Sequence, residues 1–244
     1  MGRSDWRKRY ILFKQEAGWQ TDRLSRWIRR DGSRYREPTS GFTHLAGAVL
    51  SLMAVIGLII LTWGDVPKML TIFVFGATTT MLYCASAALH LAIASPKILN
   101  RLARFDRVGI FVSIAGVYTP LCYFYLDGVW RWAILTVVWA IALGGSLYVI
   151  RYFQRGVSDI LPMTLTYVAL GAIGVLVVPK FLLPTGALLL LLIGGATYLI
   201  GTVVYSLDRP NLHERFNAHD LWHIFVLVGS GFVFAMILIY IVPL

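Results

Sequence analysis

His219 and His223 stand four apart in His219-Asp220-Leu221-Trp222-His223. On a helix this spacing puts both imidazoles on one face with about 6 Å between their Cβ atoms, close enough to share one metal ion. The segment lacks the glutamate of a soluble HExxH zinc site, so a third ligand must come from another part of the chain. His90 is the candidate. Three nitrogen ligands at about 2.0–2.1 Å leave the fourth position of a tetrahedral Zn2+ open to water or substrate, which is the arrangement of a catalytic rather than a structural site. Ser86, one turn before His90 in Ser86-Ala87-Ala88-Leu89-His90, is expected to face the same cavity. Asp106 is the candidate general base, or the group that orients a ligand imidazole. His44 is the sixth polar residue of this set and carries no assigned role.

The elements that hold these residues follow from composition. Of 244 residues 58% are hydrophobic and only 14% charged, with mean hydropathy +0.71, whereas soluble domains carry about 25% charge and about 45–50% apolar residues. A water-soluble globular protein, a disordered chain, a collagen and a disulfide scaffold are all excluded. An all-α integral membrane bundle remains. A bilayer core of about 30 Å takes roughly 20 apolar residues at 1.5 Å each. Seven stretches qualify: Thr43–Trp63, Met69–His90, Val108–Leu126, Trp130–Ile150, Ile160–Val178, Gly186–Ser206 and Leu221–Val242. Turn chemistry separates them, as at Gly64-Asp65-Val66-Pro67, Ser95-Pro96, Asp127-Gly128 and Asp208-Arg209-Pro210-Asn211.

Lysine and arginine alternate in density between successive connections. Nineteen of the 22 fall in the N-terminal segment and after spans 2, 4 and 6, against Lys68, Arg131 and Lys180 on the opposite side. The positive-inside tendency then predicts a cytoplasmic N-terminus, an outside C-terminus and residence in the cell (inner) membrane. The net charge of +10 is read as a topology signal, not as a nucleic-acid footprint. Residues 1–38 form a basic segment too charged to be a cleaved signal, and residues 39–244 the transmembrane domain. Within the former, Trp6, Tyr10, Phe13 and Ala17 recur at helical spacing, which predicts an amphipathic helix on anionic inner-leaflet lipids; a solvated basic tail is the alternative.

On this topology His44, His90, Asp106, His219 and His223 all lie at the cytoplasmic end of the bundle. An ionisable group in a span costs roughly 2.5–3.5 kcal/mol. Any one of the five is explained by an interhelical hydrogen bond of about 0.6 kcal/mol, but five at one depth indicate a site. Other features are read as structure. Gly144-Gly145, Gly171 with Gly174, and Gly194-Gly195 with Gly201 permit close helix packing, Cys84 and Cys122 are small packing residues, and Trp63, Trp130 and Trp132 mark the outer interface. Tyr118 and Thr119 are candidates to line a mid-membrane cavity. Pro120 and Pro162 kink or end helices. His213 is read as a solvated loop residue. No glycine-rich phosphate loop or GxSxG elbow is present, which argues against a nucleotide-driven pump and a serine hydrolase.

Taken together, Glu37-Pro38-Thr39-Ser40-Gly41-Phe42-Thr43-His44, the Ser86 to His90 SxxxH, Asp106-Arg107-Val108-Gly109-Ile110, Ile114-Ala115-Gly116-Val117-Tyr118-Thr119-Pro120 and His219 to His223 followed by Ile224-Phe225-Val226 resemble the ordered motif set of the hemolysin III family. That family is the bacterial branch of the progestin and adipoQ receptor family, which includes the adiponectin receptors. The resemblance covers about residues 36–240. It implies seven helices, a cytoplasmic N-terminus, and a zinc ion near the inner face held by His90, His219 and His223, with Ser86 and Asp106 in the surrounding hydrogen bonds. The chain departs from the common pattern at Leu89, Arg107 and Val233, where relatives often carry tyrosine, histidine and histidine. Three functions follow as expectations. The first is a zinc-dependent hydrolase of a membrane-lipid amide or ester, with catalytic Asp106 and Ser86; the second is a non-catalytic regulator of membrane fluidity and energetics; the third is a pore-forming cytolysin.

Overall fold

Seven helices account for nearly all of the residues described by the structure, a computed structural model covering residues 35–153, 160–177, 180–210, 212 and 216–244. They are α1 (Pro38–Leu61), α2 (Val66–Leu91), α3 (Pro96–Tyr125), α4 (Gly128–Tyr152), α5 (Ile160–Val177), α6 (Thr185–Leu207) and α7 (Ala218–Met236), the last passing into a π-helical turn at Ile237–Ile241. The amphipathic N-terminal helix expected within residues 1–34, and His213, lie outside the described residues.

The starts of the helices are written locally. Proline stands in the first turn of α1, α2 and α3, where its fixed φ suits the helix and its missing N–H costs nothing. Asp65 caps α2 by accepting from the Lys68 backbone N–H at 3.1 Å. α3 begins at Pro96, twelve residues before the apolar run expected from Val108, because Lys97 to Arg107 continue the helix beyond its apolar part. Asp106 therefore sits inside α3 rather than at its start. Pro120 is buried within α3, which continues through it.

The bundle is apolar outside and partly polar inside. Leu50, Met53, Ile60 and Leu61 are each more than 60% exposed, while Ser40, His44, Ser86, His90, Asp220 and His223 are each 5% exposed or less. In water this distribution would be unstable; in hydrocarbon it is the expected one. Among the described residues six helices are long and apolar enough to cross a membrane: α1, α2, α3, α4, α6 and Ala218–Ile241. The sequence predicts seven spans. The fifth helix, of 18 residues, contains only the shorter apolar stretch Pro162–Val175. The chain is thus a multi-pass membrane protein. Cys122 is buried as expected, but Cys84 faces outward on the exposed surface of α2, so it fills no core gap.

Close approach of α1 and α2 depends on glycine. A Cβ on Gly76 would lie 2.1 Å from Val55 Cγ2, so only hydrogen fits there. α1 packs on both α2 and α7, α2 on α3, and α6 on α7. The C-terminal end of α2 and the N-terminal ends of α1 and α7 thereby meet.

Candidate metal centre

The first turn of α7 is fixed by a reciprocal capping box. Asn217 Oδ1 accepts from the backbone N–H of His219 at 2.8 Å and of Asp220 at 3.3 Å, and Asp220 Oδ2 accepts from the Asn217 N–H at 3.0 Å. The second Asp220 oxygen accepts from Ser40 Oγ of α1 at 2.5 Å. That bond sets the rotation of α7 against α1, and with it the direction in which His219 and His223 point.

His90 arrives from the last turn of α2. The Glu37 backbone N–H donates to the His90 carbonyl at 2.9 Å, and Arg36 Nη2 donates to the Leu89 carbonyl at 2.8 Å. These bonds satisfy carbonyls that a helix C-terminus leaves open and lay the Glu37 side chain against the imidazole. Burial pushes the Glu37 carboxyl upward, but its hydrogen bond to His90 and the neighbouring Arg36 guanidinium outweigh this and hold it below the usual carboxylate range. Glu37 is therefore a carboxylate at neutral pH and accepts from His90 Nδ1. The tautomer follows: the His90 lone pair is on Nε2.

His90 Nε2 lies 3.4 Å from His219 Nε2, which lies 3.1 Å from His223 Nε2. The ligand atoms of the three residues all fall within 4.8 Å of one another. Two tetrahedral zinc ligands at 2.0–2.1 Å stand about 3.3 Å apart, so this spacing suits a single ion of that size. Three inward-facing imidazole nitrogens from two helices, one of them oriented by a carboxylate, form a donor set and support typical of bound histidine-ligated metals. The group could hold a metal ion.

The other sequence-predicted residues gather around it. A cavity of about 1160 Å³ is lined by the three histidines, by Ser86 and by Asp106, and runs on past Val117 to Phe181 and Leu183. Ser86 is buried and Asp106 half-buried; among the described residues neither makes a side-chain hydrogen bond, so both polar groups are available to the cavity. His44 is brought to the centre without joining the ligand group. Its ring lies 3.8 Å from that of His223 and 5.0 Å edge-on from that of Tyr83, and among the described residues neither of its buried nitrogens has a partner at good hydrogen-bond geometry.

Of the two mid-membrane candidates only Tyr118 lines the cavity. Its hydroxyl donates to the Gly171 carbonyl at 2.7 Å and accepts from the Gly174 N–H at 2.6 Å, tying α3 to α5. Thr119 instead accepts from Trp139 Nε1 of α4 at 3.2 Å. Sequence reasoning missed the supporting residues Glu37, Ser40, Asn217 and Asp220. The Asn217-x-x-Asp220 pair before an apolar run was a readable capping signal; nothing local marked Glu37 as a partner of His90.

Known proteins resemble this chain over most of its length. The family described as Haemolysin-III related matches residues 33–234. Hemolysin-3 of Bacillus cereus is 34% identical over 211 residues, covering 85% of this chain and 92% of that protein. The Hemolysin-3 homolog of Bacillus subtilis (strain 168) is 34% identical over 208 residues, covering 84% of this chain and 93% of that protein.

Proposed function

The chain belongs to the haemolysin-III-related family, and from that premise we propose that it is a zinc-dependent hydrolase of the inner membrane, acting on the carbonyl of an acyl lipid. In this reading α5 is the seventh span. Its 18 residues give about 27 Å at 1.5 Å per residue, close to the hydrocarbon thickness of about 30 Å. The bias of basic residues puts the N-terminus and the histidine cluster at the cytoplasmic end.

The observation that carries the proposal is the convergence of His90, His219 and His223 on one point at the polar end of a large, mostly apolar cavity. Zinc bound there supplies Lewis acidity toward a carbonyl and makes a nearby water easier to deprotonate. The work of the chain's own residues is then specific. Glu37 holds His90 in one tautomer. Asp106, whose carboxylate has no hydrogen bond among the described residues, takes the proton of the attacking water and delivers it to the departing amine or alkoxide, so that the lipid and one water become a fatty acid and the released amine or alcohol. Ser86 Oγ donates to the oxygen that gains charge. The apolar walls accept the acyl chain and exclude bulk water from the polar end.

The test is release of fatty acid from ceramide, an N-acyl amide and a phospholipid, each presented in nanodiscs to purified, zinc-replete protein. One class is expected to be cleaved, and Asp106→Asn to lower turnover by about 10²–10⁴-fold at unchanged metal content. Retained zinc with no cleavage of any of the three classes would contradict the hydrolase. A deletion strain separates the regulator: a single accumulating lipid species supports turnover, whereas a broad shift in acyl-chain composition supports non-catalytic control.

A further inference from the structure

Below the three imidazoles the cavity contains a second polar group that hydrolysis does not use. Tyr83 lies seven residues before His90 on α2, and Ser230 seven residues after His223 on α7. The two helices run in opposite directions, so both residues reach the same level, two helical turns or about 10 Å from the histidines. Tyr83 Oη donates to Ser230 Oγ at 2.7 Å, with the Val226 carbonyl at 3.5 Å as a longer second acceptor for the same proton. Tyr198 of α6 shares a 2.8 Å hydrogen bond with Ser230 Oγ. Gly229 makes room for this, since a Cβ there would lie 2.8 Å from the Tyr198 ring.

Three hydroxyls carry three protons. The Tyr83 proton goes to Ser230, and one proton fills the Ser230–Tyr198 bond. The third, on Ser230 or on Tyr198, has no acceptor among the described residues, and both side chains line the cavity. His44, also lining the cavity, stands between the two levels with its ring against both His223 and Tyr83. Its two buried nitrogens, one a donor and one an acceptor in the neutral ring, have no partner at good hydrogen-bond geometry among the described residues. Buried polar groups left without partners are costly. A purely hydrocarbon ligand would leave all of these groups unpaired.

We propose that His44 and the Tyr83–Ser230–Tyr198 cluster form a recognition subsite for an oxygen carried partway along the acyl lipid, so that the preferred ligand is an oxygenated chain, hydroxylated about 10 Å from the carbonyl held at the histidines. This rests on the acyl-lipid reading of the cavity. The subsite selects between chains; it takes no part in bond cleavage.

The probe pair is stearic acid and 10-hydroxystearic acid, each displacing a fluorescent dansyl fatty acid from purified protein in nanodiscs. Wild type is expected to bind the hydroxylated acid about two- to tenfold more tightly, the range of one hydrogen bond. Ser230→Ala and Tyr198→Phe each remove a single oxygen and are expected to bring the ratio to about one while stearic acid binds as before. Equal affinities in wild type, or a preference that survives both variants, would overturn the subsite and leave the acyl-lipid reading standing. Failure of the dansyl probe and of both acids to bind would overturn the acyl-lipid reading, and the subsite with it.

Discussion

Replacing His219 by alanine is expected to reduce bound zinc from about one ion per chain to less than about a tenth of that after dialysis at sub-micromolar free metal, because losing one of three protein ligands costs more than the 10–100-fold typical of a lost supporting residue. The variant is well suited to the purpose. His219 is only half-buried, and the first turn of α7 is capped by Asn217 and tied to α1 through Asp220 and Ser40, so the helix does not depend on the imidazole. Helical content should be unchanged. Cys84→Ala, on the exposed face of α2, should keep its metal. Metal analysis beside circular dichroism reads both, and a His219→Ala protein that retains stoichiometric zinc would remove His219 from the ligand set.

The second large effect belongs to Glu37. Its carboxylate accepts from His90 Nδ1, which fixes the ring and raises the electron density at the nitrogen that faces the other two histidines. Glu37→Ala should weaken zinc affinity by about 10–100-fold and Glu37→Gln by less, since the amide oxygen can still accept the hydrogen bond but brings no charge. Competition with a chromophoric chelator measures both. The graded order separates orientation from electrostatics: equal losses in Ala and Gln would mean that the charge alone matters, and no loss in either would mean that His90 is held by packing.

The parts of this site that lie within one helix were legible in the sequence. Four-residue spacing alone aligns His219 with His223, and Ser86 with His90, and the basic connections assign both pairs to the same end of the bundle. What joins separate helices was not legible. The partnership of Glu37 with His90 arises because the chain entering α1 crosses the end of α2, making the backbone bond from Glu37 to the His90 carbonyl; no periodicity encodes that crossing. The same holds for Ser40 and Asp220, paired across 180 residues. His44 shows the converse limit. Its type and depth matched those of the three, but its ring lies against that of His223, and it stands outside the group that His90, His219 and His223 form. The helix starts differed for a simpler reason: hydropathy reports where the bilayer ends, and α3 continues past that point through Lys97, Arg101 and Arg104. Cys84 was misplaced because a small thiol fits a lipid-facing surface as readily as a core.

The central claim is that His90, His219 and His223 together hold one metal ion. Zinc K-edge X-ray absorption of the purified protein tests it most directly. A shell of nitrogen and oxygen scatterers at 2.0–2.1 Å with the multiple-scattering signature of three imidazoles is the predicted result, and a spectrum carrying one imidazole or none at full zinc occupancy would contradict it.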